Sequence, residues 1–262
     1  MNFTGRTALI TGAAGGIGGA ITRRLAADGA DLVLWDLGER VEETATAARE
    51  MGVTVRTARV DVADGAAVDA AMPDDIDILV NNAGVVKNIA PLARMPHDAW
   101  ATEIGVNLSG PFNCTRAAVT GMAARGWGRI VNISSVAARG GMHNQAGYSA
   151  SKTGLLGLTH SVVLEYARHG ITCNAVLPGV IETETVLGMP AEILESARTL
   201  APARRGGSVD EVAHLVAFLA SDEAGFINGA EVDIDGGLRL NALTLSSGRE
   251  LRERFRQGEP DR

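Results

Sequence analysis

Cysteine is almost missing from these 262 residues: Cys114 and Cys173 are the only two. Two thiols cannot build a disulfide framework, so reduced side chains and a cytoplasmic setting are expected. Long apolar runs are missing too. Stretches such as Ala8 to Ile10 and Asp31 to Trp35 are far too short to span a bilayer, so no membrane association is expected. The first residues lack the cationic start, apolar stretch and small-residue cleavage site of a secretory leader. Positive charge is not in excess. A net charge of −7 argues against a nucleic-acid surface, which requires a basic patch. Lysine is scarce: of 24 basic side chains, only Lys87 and Lys152 are lysine. Lysine is a compact point charge on a flexible stem, whereas arginine is a wide planar fork. A lysine that persists in such a chain is either a chance survivor or stands where the fork cannot do the work.

What is present is ordinary for a globular α/β protein, with 46% hydrophobic and 21% charged residues. Short β-branched runs alternate with longer helical stretches. Strands are expected at Thr7 to Ile10, Asp31 to Asp36, Val53 to Val60, Ile76 to Val80, Arg129 to Ile133 and Ile171 to Val176. Helices are expected from the glycine turn to Asp28, then at Glu39 to Met51, Asp64 to Met72, His97 to Arg125, Gly147 to Arg168 and Val209 to Ala220. Strands apolar throughout and separated by helices imply a parallel sheet covered on both faces. The fold class is α/β: one Rossmann-type, doubly wound domain over residues 1–240. Within it, 180–205 has no clean period and is expected to be an irregular substrate lid. Residues 241–262 form a charged tail, either a docked helix or a loose end.

The turn from Thr11 to Gly18 lies between the first strand and the first helix. Glycines there let the backbone approach a pyrophosphate, and the helix N-terminus offers free N–H groups. Asp36 ends the second strand, near the ~20-residue offset at which an acid holds the adenosine ribose hydroxyls. A carboxylate there accepts from the 2′-hydroxyl of NAD and repels the 2′-phosphate of NADP. Leu37 follows it, where a phosphate-binding arginine could have stood. NAD(H) is the expected cofactor, and no metal is expected.

Tyr148 and Lys152 are four apart on one helix face. A free phenol titrates near 10, too high to trade protons readily at neutral pH, and a neighbouring cation favours the phenolate. One of only two tyrosines thus meets one of only two lysines. Ser135 lies thirteen residues earlier, just beyond the fifth strand, on the ligand-binding side of an open sheet.

Taken in order, Thr11 to Gly18, Asp61 with Val62, Asn81 to Gly84, Asn107, Ser134 with Ser135, Tyr148 to Lys152, and Pro178 with Gly179 and Thr183 resemble the short-chain dehydrogenase/reductase family. The likeness runs from Thr7 to about Gly237. It implies that Tyr148 exchanges a proton with the substrate oxygen, Lys152 lowers the phenol pKa and binds the nicotinamide ribose, Ser135 holds the same oxygen, and Asn107 holds a relay water. It further implies that Gly12, Gly15, Gly16, Ile17 and Gly18 line the pyrophosphate and that Asp61 and Val62 flank the adenine. Asn82, Ala83 and Gly84 would border the adenosine-side ribose, while Pro178, Gly179, Ile181 and Thr183 would hold the nicotinamide. Asn81 and Ser134 are read as structural, and His143, Asn144 and Gln145 as either substrate-facing or simply polar loop.

The expected activity is NAD(H)-dependent interconversion of a secondary alcohol, or hydroxyacyl compound, and its ketone. The stretch Pro178 to Thr183 resembles 3-oxoacyl-thioester reductases, which generally take NADPH; that is the runner-up. A cofactor-binding regulator without catalysis is the third reading, against which the intact set of Asn107, Ser135, Tyr148 and Lys152 speaks. The partner is a small-molecule alcohol or ketone, and the family implies a homotetramer. The interval Asp64 to Asp77 is short for the family, so a truncated third helix is expected.

Overall fold

The computed structural model describes residues 1–240, so the tail at 241–262 lies outside the described residues. The strands are β1 (Thr7–Thr11), β2 (Asp31–Trp35), β3 (Val55–Ala58), β4 (Ile78–Asn81), β5 (Gly128–Ile133), β6 (Ile171–Pro178) and β7 (Glu231–Ile234). All pair in parallel, in the order β3-β2-β1-β4-β5-β6-β7. The helices are α1 (Gly16–Ala27), α2 (Val41–Arg49), α3 (Gly65–Ala71), α4 (His97–Ile104), α5 (Gly110–Arg125), α6 (Ala137–Gly140), α7 (Ala146–Tyr166), α8 (Glu184–Leu187), α9 (Ala191–Leu200) and α10 (Val209–Leu219).

Side-chain alternation explains the double winding. Ala8 and Ile10 of β1 and Leu32 and Leu34 of β2 point to one face, where Ile21 and Leu25 of α1 and Val212 and Val216 of α10 cover them. Leu9 and Val33 point the other way, onto Val68 of α3, Cys114 and Met122 of α5 and Val162 of α7. Both faces are dry, so the strands read as continuous apolar runs. Local signals set the helix ends. Asp64 caps the short α3 through the amides of Ala66 and Ala67, and Ser208 with Glu211 forms a capping box on α10. By contrast α1 starts at Gly15 with no side-chain cap, which leaves its first N–H groups available. No helix among the described residues is long and apolar enough to cross a membrane.

Three expectations need correction. The stretch 180–205, expected to be irregular, contains two helices, α8 and α9. Gly188 and Pro190, which read as breakers, are the C-cap of α8 and the N-cap of α9. Helix α8 is a single turn, and α9 buries none of its residues. The single helix expected at His97 to Arg125 is interrupted by a π-helical turn at Gly105–Ser109, with Asn107 at its middle. Finally, β7 was not foreseen: its charged and apolar residues alternate at the sheet edge instead of forming an apolar run.

Candidate active site

The chain leaves β1 and β4 towards opposite faces of the sheet, which opens a crevice at their carboxyl ends. The turn after β1 must fold flat against the strand ends. Gly12 has φ +65, and a Cβ on it would sit 2.8 Å from the Ala83 Cα; one on Gly18 would collide with the Gly12 carbonyl. Thr11 ties the turn to β4: its hydroxyl accepts the Asn82 and Ala83 amides at 3.0 Å each. The Asn82 side chain donates back to the carbonyls of Thr11 (3.0 Å) and Gly12 (2.9 Å). Asn82 therefore positions the glycine turn as well as bordering the crevice.

The result is a cleft of about 470 Å³ bordered by Gly12, Gly15, Ile17 and Gly18 on one side and Asp61, Val62, Ala83 and Gly84 on the other. Gly16 is not on its wall; a Cβ on it would lie 3.5 Å from the Thr183 side chain. Asp36 also lines the cleft. Its two carboxylate oxygens accept from Ala14 N (2.9 Å) and Gly38 N (2.8 Å), which fixes their direction and leaves lone pairs for further donors. Leu37 lies beside it, and the next arginine along the chain, Arg40, is paired with Glu184 of α8 at 2.9 Å. A Cβ built on Gly15 meets nothing within 4 Å, so this part of the cradle has room for a ligand backbone.

Sharing Ile17, Asn82, Gly84 and Thr183 with this cleft is a second one of about 330 Å³. It brings together Ser135, Tyr148, Lys152, Pro178, Gly179 and Ile181. Ser135 follows β5, while Tyr148 and Lys152 occupy successive turns of α7. Lys152 is buried, and its Nζ donates to the Ile133 carbonyl at 2.8 Å. Burial lowers its pKa to about 8. Tyr148 hydrogen-bonds the Ser135 side chain; burial pushes the phenol up and that bond pulls it down. The expected depression of the phenol by Lys152, whose Nζ is 5.7 Å from the ring centroid, does not prevail over desolvation in the chain itself.

Asn107 is fully buried behind this wall. Its side chain bridges the Val85 backbone, with Nδ2 donating to the carbonyl and Oδ1 accepting the amide, both at 2.8 Å, and it reaches Ser151 Oγ at 3.3 Å. The π turn delivers this contact; such bulges recur at functional sites. Asn81 stitches β4 to β5 through Asn132 (2.8 Å), and the Ser134 hydroxyl donates to the Lys152 carbonyl, so both are structural as read. Of the three loop residues in doubt, Gln145 borders a third cavity next to Tyr148, whereas His143 and Asn144 do not. The sequence reading missed Arg139, Met142, Met189, Leu238 and Arg239 on that cavity. Arg139 lies four residues after Ser135, on the adjoining α6; that spacing was the available signal.

A seven-stranded parallel sheet with this crevice and a Ser–Tyr–Lys wall defines a nicotinamide-dependent oxidoreductase. The family model described as enoyl-(acyl carrier protein) reductase matches residues 12–239, and the chain belongs to the short-chain dehydrogenase/reductase family. It is 40% identical over 241 residues to cis-4-hydroxycyclohexanecarboxylate dehydrogenase of Sinomonas cyclohexanicum, covering 90% of this chain and 97% of the relative. It is 43% identical to an acetoacetyl-CoA reductase of Rhizobium meliloti, covering 88% and 98%. Among solved structures it resembles NAD+-bound xylitol dehydrogenase (TM-score 0.84, 33% identity, 90% and 100% covered). It also resembles a putative 2-deoxy-d-gluconate 3-dehydrogenase from Agrobacterium tumefaciens with NADP (TM-score 0.86, 34% identity, 90% and 97% covered). The chain is thus an enzyme that interconverts alcohols or hydroxyacyl compounds and their carbonyl forms with a nicotinamide dinucleotide.

Proposed function

We propose that this enzyme is an NAD(H)-dependent dehydrogenase of a secondary alcohol, with Tyr148 as its acid and base. The observation that carries the reading is the shared wall of Ser135, Tyr148 and Lys152, in a cleft continuous with the one that Asp36 lines. The nicotinamide supplies the hydride acceptor in oxidation and the donor in reduction. In oxidation, Tyr148 Oη takes the hydroxyl proton as the carbonyl forms; in reduction it returns that proton. Ser135 Oγ holds the same substrate oxygen and orients the phenol. Lys152 Nζ, anchored on Ile133, keeps N–H bonds for the ribose and stabilises the phenolate once formed. Asn107 holds the Val85 segment and, with it, the crevice floor beneath Lys152.

Asp36 supports NAD: its fixed carboxylate suits ribose hydroxyls and opposes a phosphate. Oxidation is the favoured direction, because cells keep the NAD couple oxidised. A 3-oxoacyl-thioester reductase using NADPH is the second reading, favoured by the Pro178 to Thr183 segment and by the similarity to acetoacetyl-CoA reductases. A cytoplasmic homotetramer completes the reading, built on α5 and α7, which expose Phe112 and Leu164. Parallel fluorescence titrations with NADH and NADPH test the cofactor. NADH binding at least about tenfold tighter, or 1.4 kcal/mol, agrees with the reading; tighter NADPH binding replaces it with the reductase.

A further inference from the structure

Beside Tyr148 and Ser135 lies a third cavity of about 580 Å³. Much of its wall is apolar, including Val86, Val136, Met142, Val180, Met189 and Leu238. Among the described residues that line it, only Arg139 and Arg239 carry charge. Their counter-ions, Glu231 and Asp233, sit on β7 behind them and are largely covered, with side chains 15% and 18% exposed.

The two guanidinium groups differ in what they have left to offer. Arg139 is fully engaged: Nη1 pairs with the Glu231 carboxylate, Nη2 donates to the Glu231 carbonyl at 3.3 Å, and Nε lies 3.7 Å from Asp233. Among the described residues, the Arg239 side chain is held only through Nε, which donates to Asp233 Oδ2 at 2.6 Å. Its two Nη groups have no partner among the described residues. The turn that presents it is itself braced, because Asp235 accepts the amides of Gly237 and Arg239 at 2.8 Å each. A guanidinium fixed by its Nε side presents the paired Nη edge, the edge that takes a carboxylate bidentately.

We propose that Arg239 reads a carboxylate on the substrate, so that the enzyme acts on a hydroxy acid, or its oxo acid, with an apolar body. This rests on the reading that Tyr148 meets the reacting oxygen. The apolar walls take the carbon skeleton, Tyr148 and Ser135 take the oxygen, and Arg239 takes the charge. Arg139 is a positioning residue, holding Glu231 and Asp233 in place. The same edge could meet a phosphate of a thioester carrier instead. A carboxylate is the better match, because Arg239 lines the very cavity that Tyr148 lines.

The test uses the enzyme–NADH complex and two matched pairs of ketones, 4-oxocyclohexanecarboxylate with its carboxamide and acetoacetate with acetoacetamide. Binding is read from NADH fluorescence, so turnover is not required. In at least one pair the acid is expected to bind at least about tenfold tighter than the amide. In Arg239→Gln that preference collapses to about onefold while NADH and amide binding stay unchanged. Equal binding of acid and amide, or a preference that survives Arg239→Gln, overturns the inference and leaves the dehydrogenase reading standing. So does an Arg239→Gln effect confined to acetoacetyl-CoA, titrated into the same complex as a fifth ligand, which assigns the edge to a carrier phosphate. NADH binding without response to any of these ligands also overturns the inference, and leaves the dehydrogenase reading to the alcohol panel.

Discussion

Lys152 Nζ donates to the Ile133 carbonyl at 2.8 Å, which pins the helix bearing Tyr148 to the strand end that precedes Ser135. The end of β5 and helix α7 are thereby joined into one wall of the candidate site. The ammonium is buried to achieve this, and its lowered pKa records the cost.

That cost is measurable as pH-dependent stability. Lys152 titrates at about 8 in the folded chain against an ordinary 10.5. Between those values the unfolded chain binds more protons, so the Lys152 contribution to stability rises with pH across this window. Lys152→Met lacks it. We expect urea midpoints of wild type to gain on those of Lys152→Met as pH goes from about 8 to 10.5. A gap independent of pH would contradict the burial argument.

The hydrogen bond from Ser135 lowers the phenol pKa of Tyr148 against the opposing effect of burial. In oxidation the phenolate is the active form, so the rate rises with pH through that pKa. Ser135→Ala removes the lowering contribution. Its limb should shift to higher pH, with kcat reduced by about 10²-fold or more at neutral pH. A profile that keeps its midpoint while losing amplitude would assign Ser135 to substrate contact alone.

Asp36 is the cofactor selector in this account. Asp36→Ala removes the acceptor and leaves the Ala14 and Gly38 amides to water or ligand. The ratio of NADPH to NADH dissociation constants is expected to fall by about tenfold or more, equivalent to 1.4 kcal/mol. An unchanged ratio, measured by the same titrations, would place selectivity elsewhere.

Gly15 and Gly18 separate fold from ligand room. A methyl group on Gly15 meets open cleft, whereas one on Gly18 strikes the Gly12 carbonyl. We expect Gly15→Ala to keep its thermal midpoint within a few degrees, roughly the effect of less than 1 kcal/mol, yet to bind NADH several-fold more weakly. Gly18→Ala should lower the midpoint itself. The reverse pattern would mean that Gly15 supports the turn rather than the ligand.

Much of the architecture was legible in the sequence because both sheet faces are buried. Strands such as Leu32 to Trp35 read as unbroken apolar runs, and the turns between them carry glycine or capping residues. The site was legible for another reason: the Thr11 to Gly18 turn, Ser135, and the Tyr148–Lys152 pair are short-range patterns at strand ends and on one helix. What escaped was set by tertiary context. The π turn at Asn107 goes with the contact of its side chain to Val85, which no local propensity encodes. Helix α8 is a single turn, and α9 buries none of its residues, so neither carries the apolar face of a core helix. Arg139 and Arg239 come from opposite sides of Tyr148 in sequence, and only the fold places them on one cavity.

The most direct test of the central claim is a panel of secondary alcohols and hydroxy acids offered with NAD+, following NADH formation by wild type and Tyr148→Phe. The account predicts that wild type oxidises at least one of them. Tyr148→Phe should then be slower by about 10²- to 10⁴-fold, the usual share of a positioned acid–base group, with NADH affinity unchanged. Full turnover by Tyr148→Phe, or turnover by wild type with the phosphorylated cofactor alone, would contradict it.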